Sequence, residues 1–155
     1  MSMHTSGGRR FRVGLMAVAL AFVATVGLGS AAHAAEGTIP NNPWGCKMYA
    51  LNSHKSGGMG SSHGGIQGCS SAPAELFVSV TVQKQGWAQW HNMSTHTGFK
   101  TNTTAKLDVN SKFVCSNSVE QNYRTQTDVR VSTSNNTHYF GTIRSTENRY
   151  ACDRP

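Results

Sequence analysis

The sequence has few acidic side chains. Asp and Glu number seven among 155 residues, against 14 Lys and Arg, and the first acidic residue is Glu36. Three basic residues, Arg9, Arg10 and Arg12, precede it, so the chain after residue 34 carries 11 basic and seven acidic groups, a formal charge of +4. This excess is modest, and no dense run of Lys or Arg is interleaved with aromatic residues. We therefore expect no nucleic-acid partner.

The sequence also lacks an apolar run of the roughly 20 residues that a membrane-spanning helix needs. The longest run, Val13 to Leu28, has about 16 residues and is rich in Gly and Ala. It follows the basic residues and precedes Ala32-His33-Ala34, and these are the three parts of a secretory signal peptide. The sequence predicts that residues 1–34 are cleaved and that the mature protein is secreted to the extracellular space, without stable membrane insertion.

Cysteine is scarce, and no two cysteines lie close together in the chain. Cys46, Cys69, Cys115 and Cys152 are separated by 22, 45 and 36 residues, whereas zinc ligands usually come in pairs two to four residues apart. An even count in an exported chain predicts two disulfides. Of the three possible pairings we favour Cys46–Cys69 with Cys115–Cys152, because each bond then closes its own stretch of chain. We predict no metal and no other cofactor.

No window after residue 34 shows the apolar repeat of an amphipathic helix. From Ala74 onward the apolar residues alternate with polar ones, as in strands with one buried and one wet face. The longer candidate strands are 76–82, 99–109 and 119–131, and the shorter ones are 86–91, 112–116, 138–144 and 148–152. The sequence predicts an all-β protein, a small antiparallel β-sandwich or partly open barrel with two disulfides.

Residues 35–73 lack this alternation. They hold three of the four prolines and a Gly/Ser-rich run over residues 56–65. Such a run has little to bury and high backbone entropy, which predicts a mobile surface loop tied at both ends by Cys46–Cys69. We accordingly divide the mature chain into an irregular segment, residues 35–73, and a β-sandwich core, residues 74–155.

No set of residues stands out as catalytic. Gly60-Ser61-Ser62-His63-Gly64 matches the G-x-S-x-G pattern, but that motif needs a strand before it and a helix after it. Here Gly-rich chain lies on both sides. A Ser-His-Asp set could be assembled across the fold, for example with His96 and Asp108, but nothing in the sequence selects one set. The sequence therefore predicts a protein that is not an enzyme.

Trp87-Ala88-Gln89-Trp90-His91 is the most informative surface candidate. Positions three apart in an extended strand face opposite sides, so one indole can enter the core while the other stays outside. An exposed Trp can stack on a sugar ring or anchor a protein partner. We predict Trp87, Trp90 and His91 as ligand-binding residues. The alternative is that both indoles are buried or that the second covers a sheet edge.

The Ala-rich N-terminus with Ala32-His33-Ala34, together with four cysteines in a Thr- and Asn-rich chain, resembles the small disulfide-bonded exported proteins of high-GC Gram-positive bacteria. The resemblance implies a bacterial secreted protein but no particular activity. We predict a binding module at the cell surface, or for an extracellular or cell-wall ligand that is a polysaccharide or a protein. The alternative is a secreted protease inhibitor or a cationic antimicrobial antagonist, using the bridged stretch between Cys46 and Cys69.

Overall fold

The structure is a computed structural model that describes residues 35–153, so the predicted signal peptide lies outside the described residues. The described chain forms ten strands. They are β1 Ala35–Thr38, β2 Lys47–Ala50, β3 His54–Ser56, β4 Met59–Gln67, β5 Glu75–Gln85, β6 Trp90–Thr101, β7 Leu107–Val114, β8 Asn117–Ser132, β9 His138–Arg144 and β10 Asn148–Asp153. Over residues 35–153 no helix is long and apolar enough to cross a bilayer.

The strands form two antiparallel sheets. In the first sheet β4 is central, with β7 along one edge and with β2 and β3 end to end along the other; β1 lies beside β2. In the second sheet β8 is central, with β5 along one edge, and β9 and β10 end to end along the other; β6 lies beside β5. The predicted all-β fold is confirmed, and it is a sandwich rather than a closed barrel.

The core lies between the sheets and has two parts. The larger part contains most of the inward apolar residues of β5 and β8, among them Leu76, Val78 and Val131, packed against Ile66 of β4. The smaller part surrounds Tyr123 at the other end of the sandwich. Alternation along β5 and β8 sends every second residue inward, as the sequence pattern predicts.

One disulfide belongs to each part of the core. Cys46 is bonded to Cys69, and Cys115 is bonded to Cys152, which is the pairing favoured from the sequence. The first bond joins the chain just before β2 to the chain just after β4. The second joins the end of β7 in the first sheet to β10 in the second. Two disulfides are typical of proteins that fold in an oxidising, extracellular-type compartment.

The Gly/Ser-rich run is not a loop. Most of it forms β4, a nine-residue strand at the centre of the first sheet. The prediction of a mobile loop is wrong because the inward glycines of β4 leave space that side chains of the neighbouring β7 and of the second sheet fill. A Cβ at Gly60 would overlap the Phe113 ring, and one at Gly64 would overlap the Thr127 hydroxyl. Glycine in a strand often marks such a close approach.

The predicted boundary at residues 73 and 74 has no counterpart in the structure either. The first sheet is built from β1, β2, β3 and β4 together with β7, so both sides of that boundary contribute to one sandwich. In the chain from 35 to 73, β1, β2 and β3 have only three or four residues each, and irregular stretches separate the strands. The predicted sandwich core of residues 74–155 is therefore incomplete without the preceding residues.

Two predicted strands are interrupted. The candidate at 99–109 ends at Thr101, where β6 stops, and resumes at Leu107, because Asn102 takes a left-handed φ of 47°. The candidate at 86–91 contains a turn closed by a hydrogen bond from Gly86 N to Gln89 O at 2.8 Å. In both places the alternation of residue types in the sequence runs on where the strand itself is interrupted. The candidate at 138–144 coincides with β9.

Gly64→Ala should destabilise the fold. Its Cβ would overlap the Thr127 hydroxyl and lie 3.0 Å from Val80 Cγ2, so the two sheets would have to separate locally. We expect a loss of about 1–3 kcal/mol in the free energy of unfolding, measured by urea denaturation.

Gly37→Ala is the matched control, because a Cβ there would lie 3.3 Å from Ile143 Cδ1 and 3.5 Å from Met48 Cε, both ends of side chains. We expect it to change the free energy of unfolding by no more than about 0.5 kcal/mol. Equal denaturation midpoints for the two variants would contradict the close approach at β4.

Candidate functional site

The outer face of the second sheet carries a row of aromatic side chains. Phe99 on β6 is opposite Phe77 on β5, Phe77 is opposite Arg130 on β8, and Arg130 is opposite Phe140 on β9. Residues directly opposite each other in a sheet point to the same face. We call these four residues the aromatic row. It crosses three strand spacings, or about 14 Å.

The phenyl groups of the aromatic row lie largely in solvent. Phe99 is 71% exposed and Phe140 is 63% exposed, while Phe77 is half-buried between them. The guanidinium of Arg130 lies 5.2 Å from the Phe77 ring centroid and donates a hydrogen bond to Glu75 Oε1 at 2.5 Å. Contiguous exposed apolar surface of this kind often marks an interaction site.

A second aromatic group occupies the far end of the same face. The guanidinium of Arg124 lies 4.1 Å from the Trp90 ring centroid, and its Nε donates to Gln83 Oε1 at 2.8 Å. Burial, together with the positive charge of Arg144, lowers the pKa of Arg124. We call this group the tryptophan end. Gln83 is six residues along β5 from Phe77, so the tryptophan end is about 20 Å from the aromatic row.

Planar polar side chains cover the surface between the two aromatic groups. Asp128 accepts hydrogen bonds from Thr142 Oγ1 at 2.6 Å and from Gln126 Nε2 at 2.9 Å. The Gln126 carbonyl oxygen in turn accepts a bond from Arg144 Nε at 2.9 Å. These side chains hold one another in fixed positions across β8 and β9. The face therefore combines exposed rings with ordered hydrogen-bonding groups.

The predicted ligand residues do not form one cluster. Trp87 lies in the turn between β5 and β6 and is completely exposed, at 102%. Trp90 is half-buried on the outer face of the second sheet, beneath Arg124. His91 follows Trp90 directly in β6, so it faces the other way, and its ring packs against Gly86. Neither indole is buried in the core, and only Trp90 joins the face described above.

The phenylalanines of the aromatic row are absent from the sequence prediction. A signal was available, since Phe77 has the same parity along β5 as Ser79 and Thr81, opposite to that of Leu76 and Val78. A Phe among outward polar residues is the feature to look for. The alignment of three such residues into one row depends on strand pairing and could not be read from the sequence.

The first sheet carries a different cluster on its outer face. Tyr49 donates a hydrogen bond from its hydroxyl to Asp108 Oδ2 at 2.5 Å, and His63 Nδ1 lies 2.8 Å from Asp108 Oδ1. Lys106 Nζ is 3.7 Å from the same carboxylate and 4.5 Å from the Tyr49 ring centroid. A Cβ at Gly65 would lie 2.6 Å from the Tyr49 oxygen, so glycine allows Tyr49 to reach across β4.

Opposing influences act on the Asp108 carboxyl. Burial raises its pKa, but the hydrogen bonds from Tyr49 and His63 and the positive charges of His63 and Lys106 lower it more, and the net shift is downward. Burial and the adjacent Asp108 carboxylate raise the pKa of Tyr49 well above its usual range. At neutral pH the pair is therefore a carboxylate that accepts a bond from a neutral phenol.

Neither a metal centre nor a similar protein indicates a function for the described residues. Within residues 35–153, no group of three or more His, Cys, Asp or Glu side chains is placed to hold a metal ion. Comparisons with protein-family models, curated proteins and solved structures give no match to the chain.

Asp108→Asn should lower the free energy of unfolding at neutral pH and make that free energy less dependent on pH. The folded-state pKa of Asp108 is lowered, so its carboxylate stabilises the fold above the unfolded pKa of about 3.9, and this contribution is lost as pH falls through the folded pKa. We expect a loss of about 1 kcal/mol at pH 7, kept small by partial exposure.

Urea denaturation of both proteins between pH 7 and pH 2 is the measurement. The difference in unfolding free energy should shrink as the pH falls below about 4. Tyr49→Phe removes one of the donors to Asp108 and should have a weaker effect of the same sign. A difference that stays constant down to pH 2 would show that ionisation of Asp108 does not stabilise the fold.

Proposed function

We propose that the protein is secreted and binds an extracellular polysaccharide through the outer face of its second sheet. The observation that carries the proposal is the aromatic row, in which Phe99 and Phe140 are 71% and 63% exposed on the same face of one sheet. The two disulfides and the signal-like N-terminus support an extracellular location.

The chemistry of this face suits a sugar chain. The C–H groups on one side of a sugar ring form an apolar surface that can stack on the electron-rich face of an aromatic ring. The amide, carboxylate and hydroxyl groups of Gln126, Asp128 and Thr142 can donate to and accept from sugar hydroxyls. A ligand with both apolar ring faces and many hydroxyls would use both kinds of group.

The shape of the face favours a long ligand over a small molecule. Small-molecule sites are concave and enclose most of the ligand, whereas the aromatic row and the tryptophan end lie on the open side of a sheet, about 20 Å apart along the strands. A chain of several sugar units could contact both ends at once. Contacts at two ends of one ligand increase the overall affinity, because the second contact forms intramolecularly.

The charges on the face favour an uncharged polymer. Arg124, Arg130 and Arg144 are balanced in large part by Glu75 and Asp128. Arg130 is paired with Glu75, and the other two guanidinium groups donate to glutamine side chains. Binding of single-stranded nucleic acid through stacking normally adds a strongly positive groove along the backbone. The absence of that excess on this face supports a neutral polysaccharide.

The alternative of a protease inhibitor loses its structural basis. It required an exposed loop between Cys46 and Cys69, and this stretch contains strands β2, β3 and β4 of the first sheet instead. An inhibitor usually presents a loop that enters the active site of the protease. Most of the backbone between these cysteines is paired in strands and is not free to enter a protease active site.

Sedimentation of the protein with cellulose, chitin and purified peptidoglycan tests the proposal. We expect retention on at least one of these, with the affinity lowered about two- to tenfold by Phe99→Ala and by Phe140→Ala, since each removes one stacking contact. Trp90→Ala should weaken binding through the tryptophan end. Because both phenyl groups are exposed, the two Phe variants should unfold at the same urea concentration as the wild type.

Val114→Ala is the matched control, since Val114 is an apolar side chain, 66% exposed, on the first sheet. Its retention should equal that of the wild type. No retention of the wild type on any polysaccharide, or an equal loss in the Val114 variant, would count against the proposal. Retention on peptidoglycan that disappears when the wall material is first treated with protease would indicate a protein ligand instead.

A further inference from the structure

A cleft on the outer face of the first sheet has a different chemistry from the aromatic row. Its volume is about 160 Å³, and its polar lining consists of His54, Ser56, Ser61, His63, Asn110 and Lys112. We call it the first-sheet cleft. It lies on the opposite side of the sandwich from the proposed polysaccharide face, so it requires an explanation of its own.

Strand pairing brings the lining residues together. His54 on β3 is opposite Ser61 on β4, and Ser61 is opposite Lys112 on β7. The next row on the same face pairs His63 with Asn110. Neighbouring strands are about 4.8 Å apart, so the imidazole of His54 and the ammonium of Lys112 start from backbone positions roughly 10 Å apart on either side of Ser61.

The titratable groups that line the cleft are all bases. His54, His63 and Lys112 line it, and no carboxylate does. Asp108 contacts His63 Nδ1 but does not line the cleft, and it is bound by Tyr49 and Lys106 as well. Lys112 forms no ion pair with any residue from 35 to 153. An anionic ligand would therefore find uncompensated positive charge here.

The hydrogen bonds of His63 and Asn110 leave polar groups of both side chains free to contact a ligand. His63 Nδ1 faces the Asp108 carboxylate, which can only accept, so this nitrogen carries a proton and Nε2 is left for a ligand. The Asn110 carbonyl oxygen accepts from Ser61 Oγ at 2.9 Å, which leaves the Asn110 amide hydrogens as donors.

We propose that the first-sheet cleft binds a tetrahedral oxyanion, a phosphate or sulfate group, between His63, Asn110 and Lys112, with His54 at the rim. Its volume of about 160 Å³ is larger than a single phosphate or sulfate group needs, so such a group can enter together with water. A charge-assisted hydrogen bond from the Lys112 ammonium to such an anion is shorter and stronger than a neutral one. The group could be a free ion or a monoester carried by a larger molecule, which share this chemistry.

Titration of the protein with inorganic phosphate, glycerol phosphate and sulfate, followed by two-dimensional NMR at constant ionic strength in chloride, tests the proposal. We expect saturable shifts centred on Ser61, His63, Asn110 and Lys112. A stronger response to glycerol phosphate would identify a monoester as the ligand, and a stronger response to inorganic phosphate would identify the free ion. Either result supports the cleft as an oxyanion site.

Lys112→Gln should weaken binding of the preferred anion about tenfold, because it removes one hydrogen bond from a charged donor. Lys47→Gln is the matched control: Lys47 lies on the same face but pairs with Glu36 at 3.0 Å. It should change the affinity less than twofold. His54→Gln gives a second test within the cleft, with an intermediate loss expected.

Three outcomes would overturn the proposal. One is the absence of saturable shifts with all three anions, and another is an equal loss of affinity in the Lys47 and Lys112 variants, which would indicate general charge screening. The third is a set of shifts centred on the second sheet. Retention of Lys112→Gln on polysaccharide should match the wild type, so the two proposals can fail separately.

Discussion

The close approach of β4 to the second sheet is the constraint on which the rest of the structure depends. The inward residues at the middle of β4 are Gly60, Ser62 and Gly64. A Cβ at Gly64 would overlap Thr127 of the second sheet, and one at Gly60 would overlap the Phe113 ring, which extends over β4 from the neighbouring strand β7. Ser62 is fully buried, and its hydroxyl is bonded at 2.8 Å to the hydroxyl of Thr125 on β8. With so little side-chain volume on β4, the two sheets can pack closely at this strand, and β2, β3 and β7 take their positions by pairing with it.

Adjacent glycines on β4 serve opposite faces of the first sheet. Gly64 points inward and makes room for Thr127 and Val80, while Gly65 points outward and makes room for the Tyr49 ring. The outward glycine allows the Tyr49 hydroxyl to reach Asp108 on β7, across the width of one strand. Asp108 then orients His63 at the edge of the first-sheet cleft. The same Gly-rich stretch thus sets both the sheet packing and the chemistry outside it.

Whether a strand can be predicted from the sequence depends on which residue types it buries. β5 buries Leu and Val at every second position, and β8 buries Tyr, Thr and Val with the same period of two, so alternation identifies both strands. The cysteine spacing favours the pairing that the structure has. β4 buries glycine and serine, which carry no apolar signal, and a search for apolar alternation cannot find such a strand. The aromatic row and the first-sheet cleft depend on register between strands distant in sequence, such as β6 with β5 and β4 with β7.

The exposed phenylalanines contribute little to folding, and this has a consequence for binding. Fully burying a Phe side chain is worth about 1.5–3 kcal/mol, in proportion to the apolar area removed from water. Phe99, at 71% exposed, and Phe140, at 63%, keep most of that area in solvent in the folded protein. The remaining burial free energy is released only when something covers them. Arg130, placed between Phe77 and Phe140 and paired with Glu75, separates the rings and fills the gap that would let them collapse together. The second sheet therefore keeps aromatic surface exposed to solvent. A ligand that covers this surface would remove it from water and gain the corresponding burial free energy.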